Sequence, residues 1–155
     1  IFFVPNNEEN EQKLADLFKE MAGISELNPG VSVIHGREIP HKAQSDRAIW
    51  FDFRALCFGP RSQADYLYLA EHYEMVFVSG LERLTPQEKA EARRLTWLID
   101  VLYDFRVKLC ATSTVGVNDI YVEGDFAEEF TRTASRMVEM QSEVYLEQPH
   151  LTLKK

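Results

Sequence analysis

Cysteine occurs only twice in this sequence, at Cys57 and Cys110. Two thiols so far apart, one in an apolar run and one in a strand-like run, make neither a disulfide framework nor a metal-ligand spacing. They read as buried, reduced thiols of a cytosolic-type compartment. The four histidines (His35, His41, His72 and His150) include no i,i+4 pair, so no metal site is expected. Positive charge is also short: 17 Lys and Arg stand against 25 Asp and Glu, a formal net charge of −8. A chain of that balance does not coat nucleic acid or an anionic membrane, although a local basic cluster can still hold a phosphate. No apolar run approaches the roughly 18 residues of a membrane span. The first residue is Ile1 and not methionine, which points to a processed or proteolysed start, so a missing targeting signal says little.

Glycine is sparse as well, and its placement excludes more than its number. A phosphate-cradling P-loop needs G-x-x-x-x-G-K-[ST], and the seven glycines never fall in that arrangement or in G-x-G-x-x-G. There is no G-x-S-x-G nucleophile elbow and no H-E-x-x-H. AIWFDF imitates the strand that carries a magnesium-holding acid in P-loop ATPases. Phe53, however, follows Asp52 where a glutamate is needed, so Asp52 reads as an acid that caps backbone at a strand end. Asp100 and Asp104 share a helix face near Arg93, Arg94 and Arg106, and read as surface pairs rather than an acid–base couple. No catalytic set lies within the chain.

What is there is ordinary globular material, 45% hydrophobic and 27% charged in 155 residues, enough for one domain with a real core. IFFVP ends a strand, and NEENEQKLADLFKEMAGI is an amphipathic helix with Leu14, Leu17, Phe18 and Met21 on one side. VSVIHGREIP reads as one strand and RAIWFDF as its neighbour across a long polar loop. SQADYLYLAEHY is a helix capped by Ser62, and MVFVSG is a short apolar strand. TPQEKAEARRLTWLIDVLYD is a helix with Thr85 as N-cap, Pro86 at the first position and Glu88 closing a capping box. VKLCAT is a strand, and VGVNDIYVEG a loop with a small extended piece. A single helix runs from about Asp125 to Gln148, with Phe130, Met137, Met140 and Val144 turned inward. The tail LTLKK reads as frayed. The fold class is α/β: βαβαβ units with a mainly parallel sheet, an N-terminal helix plus strand pair (1–47), and a long C-terminal helix closing 48–155 as one unit.

Within that last helix Arg132 and Arg136 stand four apart. On the residues alone, Glu128–Arg132 and Arg136–Glu139 are helix-surface pairs worth about 0.2–0.5 kcal/mol each. A functional role needs a phosphate brought from elsewhere, since the guanidinium fork recognises phosphate bidentately.

Three stretches resemble one family: P-R-S-x-x-D-Y at Pro60–Tyr66, A-R-R…L-I-D-x-L-Y-D-x-R-V-K-L at Ala92–Leu109, and E-F-x-R-T-x-S-R-M-x-E-M-Q-S at Glu129–Ser142. Together they are similar to the C-terminal part of the ZapE-type ATPases, whose mitochondrial relatives are the AFG-one-like ATPases. Gly36–Pro40 (GREIP) fits the same pattern; Leu81-Glu82, Leu95 and STVGVND depart from it locally. The resemblance implies a parent that binds and hydrolyses ATP with magnesium, with Walker A and Walker B upstream of this chain, which is then inactive alone. It implies the upstream P-loop half of the same protein as a partner. In bacteria it implies cytoplasmic action on FtsZ polymers, with peripheral association to the membrane-bound division machinery, a possible homo-oligomer, and no nucleic acid. A eukaryotic relative would be mitochondrial. It makes Arg132 and Arg136 candidates for nucleotide sensing or for docking the P-loop half, with Arg93 and Arg94 a second, interfacial pair. The rival reading is a non-enzymatic α/β protein-interaction domain, whose surface would be built from Tyr66, Tyr68, Tyr73 and Arg61.

Overall fold

The computed structural model describes residues 1–151, so most of the tail lies outside it. Seven strands and six helices follow in the order β1 (Phe2–Phe3), α1 (Glu8–Ala22), β2 (Gly30–Ile34), β3 (Arg37–His41), β4 (Ala43–Gln44), β5 (Ala48–Asp52), α2 (Phe53–Cys57), α3 (Gln63–His72), β6 (Met75–Leu81), α4 (Lys89–Asp104), β7 (Lys108–Ser113), α5 (Ala127–Glu139) and α6 (Glu143–Glu147). The main sheet has the order β1-β7-β6-β5-β4, parallel throughout except for the short antiparallel β4 at one edge. The expected α/β architecture, built on β5-α3-β6-α4-β7, is what the chain adopts.

Side chains alternate across a strand, so each parallel strand serves two faces. Trp50, Phe77 and Cys110 turn one way and meet Leu14, Ala15 and Phe18 of α1. Ile49, Phe51, Val76, Val78, Leu109 and Ala111 turn the other way and meet α3, α4 and α5 through Leu69, Leu95, Leu98, Ile99 and Met137. Both faces are covered, which is why β5, β6 and β7 read as continuous apolar runs.

Local chemistry moves several boundaries. VSVIHGREIP is not one strand but the hairpin β2–β3, and this is the strand pair of the N-terminal region. His35 and Gly36 both sit at positive φ, 52° and 79°, the two-residue turn whose twist matches antiparallel strands. Asp52 does not cap backbone: its carboxylate makes no cap bond, and a five-residue helix α2 starts directly after it. Glu88 does accept the Thr85 N–H at 2.8 Å, but Thr85–Glu88 close a separate turn and α4 begins only at Lys89. Residues 117–119 form a 3-10 turn, with no extended piece nearby.

The C-terminal helical reach is interrupted at Met140–Ser142. Ser142 has extended backbone and accepts the Tyr145 N–H, restarting the chain as α6. The break rephases the helix: Phe130, Met137 and Met140 are buried as expected, but Val144 is 73% exposed and Tyr145 is buried in its place.

Candidate functional site

The four arginines marked by the sequence do not converge. Helices α4 and α5 run side by side, joined by Thr133 Oγ1 to Thr96 Oγ1 at 3.1 Å, Arg136 to Asp100 at 2.7 Å and the Tyr103 hydroxyl to Glu139 at 2.8 Å. Arg136 is therefore spent between helices, its guanidinium also lying 4.8 Å from the Tyr103 ring. The expected Arg136–Glu139 pair does not form because α4 offers both residues other partners, Asp100 and Tyr103, and the Glu128–Arg132 pair does not form among the described residues either. Arg132 is exposed and has no ion pair among the described residues. Arg94 turns to the Cys57 carbonyl at 3.1 Å and to Glu91 at 3.6 Å, while exposed Arg93 lies over the Phe126 ring at 4.3 Å. Asp100 pairs with Arg136 rather than with the arginines of its own helix, and Arg106 bonds the backbone carbonyls of Tyr103 and Asp104.

The tyrosine surface of the rival reading is largely interior. Tyr66 and Tyr73 are buried, the former donating to the Leu56 carbonyl at 2.9 Å. Tyr68 is half-buried and stacks on His72. Helix α3 thus uses its aromatics to hold the core. Its start is fixed by fully buried Asp65, which takes the Ser62 N–H at 2.9 Å and an Arg37 nitrogen at 3.0 Å, tying α3 to the hairpin.

A crevice that no motif announced opens at the carboxyl ends of β5 and β6, where ligands of parallel α/β sheets commonly sit. Its volume is about 780 Å³, and Asn7, Glu8, Glu11, Lys42, Asp52 and Ser79 line it. The start of α1 supplies the first three, with Asn7 capping the helix by accepting the Asn10 N–H at 2.8 Å. The Trp50 indole donates to Ser79 Oγ at 2.7 Å, and Ser79 donates to Glu11 at 3.0 Å. Lys42 closes the chain at 2.8 Å from Glu11 and 3.7 Å from Asp52. Burial works against the Lys42 ammonium, but Glu11 and then Asp52 outweigh it and raise its pKa, so it stays charged. Three carboxylates against one ammonium leave the crevice negative overall, which disfavours a phosphate there. Among the described residues no group of three or more His, Cys, Asp or Glu is placed to hold a metal ion. The signal for the crevice was Asp52 and Ser79 at adjacent strand ends; the α1 wall lies too far away in sequence to be joined to them by spacing, and Lys42 stands in a polar stretch that showed no strand.

Comparison with known proteins gives these elements a lineage. The chain matches the AFG1-like ATPase family over residues 1–149, and it belongs to that family. It is similar to the cell division protein ZapE of Escherichia coli (strain K12), at 30% identity over 151 residues, 97% of this chain. It is also similar to an uncharacterized protein of Schizosaccharomyces pombe (40% over 88 residues, 57% of this chain and 19% of that one). Lactation elevated protein 1 homolog B of Danio rerio matches at 24% over 179 residues, 94% of this chain and 36% of that protein. The chain spans 40% of the length of the ZapE relative. No solved structure matches it. Among the described residues no helix is long and apolar enough to cross a membrane.

Proposed function

We infer that this chain is the C-terminal portion of a ZapE-like ATPase that is inactive alone. The observation that carries the reading is a family match over residues 1–149 in a sequence with no G-x-x-x-x-G-K-[ST]. ATP and magnesium are then bound by an upstream P-loop half carrying Walker A and Walker B, and this portion docks against it. Arg132, exposed and unspent, is the arginine best suited to sense the phosphates or meet that half, whereas Arg136 is occupied by Asp100. Following the E. coli relative's name, the setting is cell division. The partner is FtsZ polymer in the bacterial cytoplasm, met peripherally at the membrane-bound division machinery, with self-association between copies. In a eukaryotic relative the compartment is the mitochondrion.

Phosphate release and binding of a fluorescent ATP analogue, measured on this chain and on the full-length protein, test the reading. The chain alone is expected to give neither signal and the full-length protein both. Arg132→Ala in the full-length protein should lower turnover by about 10³-fold or more, the scale of losing a charge-stabilising arginine. Nucleotide binding by this chain alone would overturn the proposal.

A further inference from the structure

The first turns of α4 and the residue before α5 enclose a groove that holds the second candidate pair, Arg93 and Arg94, away from Arg132. Two adjoining cavities of about 370 and 420 Å³ share Arg93 and Phe126. The smaller is lined chiefly by Arg61, Lys89, Arg93, Arg94, Trp97 and Phe126, and by no carboxylate. Four cations in one place stand out on a chain of net charge −8. Lys89 already meets Asp125 at 3.1 Å and Arg94 meets Glu91 at 3.6 Å. Arg61 and Arg93 meet no carboxylate within ion-pair distance among the described residues, although Glu129 lines the larger cavity.

The apolar floor is presented to solvent rather than hidden. Phe126 is 45% exposed, and its backbone is left-handed at φ 66°, unusual for an aromatic residue. The Arg93 guanidinium, 4.3 Å from the ring, holds it there. Arginine, tryptophan and phenylalanine around a cavity, with no acid in the wall of the smaller one, is the composition of a protein-binding hot spot. The cations ring an apolar centre instead of converging on one point, and Arg61 spends two nitrogens on the carbonyls of Ala55 and Pro60. That layout suits spaced carboxylates better than one phosphate.

We propose that this groove docks an acidic peptide segment of a protein partner. An apolar side chain seats between Trp97 and Phe126, and flanking carboxylates meet Arg93 and Arg61. The proposal goes beyond the ATPase reading and needs neither nucleotide nor a P-loop, so either can fail without the other.

The test is fluorescence anisotropy of a labelled, end-capped Asp-Asp-Glu-Leu-Phe-Glu-Asp peptide with the 155-residue chain, without nucleotide. Binding that weakens with salt is expected, with a loss of about tenfold or more in Arg93→Glu and in Phe126→Asn, a residue that tolerates left-handed backbone. Arg47→Glu, whose native partner Glu74 is on a different surface, should bind as the parent does. The same peptide with lysines for its acids should not bind. No binding, equal binding of the lysine peptide, or unchanged affinity in Arg93→Glu would overturn the proposal. Displacement by tripolyphosphate at concentrations below that of the peptide would overturn it too, in favour of a phosphate site.

Discussion

The two faces of the sheet are built on different plans. One is covered by a single helix, α1, and fills its layer with large rings: Phe18 packs edge-on to Phe77 at 4.9 Å and tilted to Trp50 at 5.8 Å. The other is covered by α3, α4 and α5 and is filled from many more positions, aliphatic side chains mixed with rings such as Phe51, Phe53, Tyr66 and Phe130. A face closed by few large residues concentrates its stability in each of them, while a face closed by many spreads it. The α1 face should therefore open first and most abruptly.

Each face carries one thiol, which makes the comparison measurable. Cys110 lies under α1 and Cys57 on the opposite side. Burial pushes the Cys57 thiol up to about 12 and Cys110 up to about 11, so both should resist alkylation in the folded protein. The largest effect is expected from Phe18→Ala, at about 3–5 kcal/mol in denaturant unfolding. In that variant Cys110 should react with a thiol reagent well before Cys57; simultaneous reaction would show that the two faces open as one.

Acid should act through the hairpin, whose Ile34 and Ile39 belong to the three-helix side. His41 is buried against Ser32 Oγ at 2.7 Å, and burial lowers its pKa from the ordinary 6.5. The unfolded chain then binds the proton more readily. Stability should fall as pH drops below about 6.5 and level off beneath the folded value. Thermal unfolding at pH 7 and pH 5 should show this slope, and His41→Asn should flatten it.

Arg136→Ala should do least. Its pair with Asp100 is about a quarter to a third exposed at both ends, so solvent screens it, and the loss should stay below about 1 kcal/mol. A loss several times larger would mean that α5 is pinned to α4 by charge more than by Met137 and Phe130.

Apart from the five-residue α2, which no pattern announced, the order of strands and helices from β5 to β7 was legible because apolar runs and helical stripes there are long and uncapped by rival signals. Turns of two residues were not. His35-Gly36 interrupts an alternating pattern without breaking its period, so a hairpin reads as one strand. The break at Met140–Ser142 was hidden for a related reason: Glu, Val, Tyr and Leu continue acceptably as helix, and only the destination of Tyr145 shows that the phase must change. At the candidate sites, spacing placed Arg132 and Arg136 on one helix correctly but could not show that Asp100 claims one of them. Nor could it show that Tyr66 and Tyr73 point inward, since burial on α3 depends on what β5 and the hairpin bring to it.

The Tyr145 hydroxyl is shared between the carbonyls of Leu102, at 3.1 Å, and Val107, at 2.8 Å, on the two sides of the turn that leaves α4, where Leu102 also accepts the Val107 N–H at 2.9 Å. Lys108 adds bonds to the carbonyls of Tyr145 and Gln148 from the start of β7. A helix end is thus finished by a residue made much later in synthesis. On the ribosome the local bond from the Val107 N–H closes the turn first, and the second partner of the Leu102 carbonyl arrives only when residues 142–148 have left the exit tunnel. A chain stopped at Gln141 would keep every strand of the sheet and still lack the group that seals it.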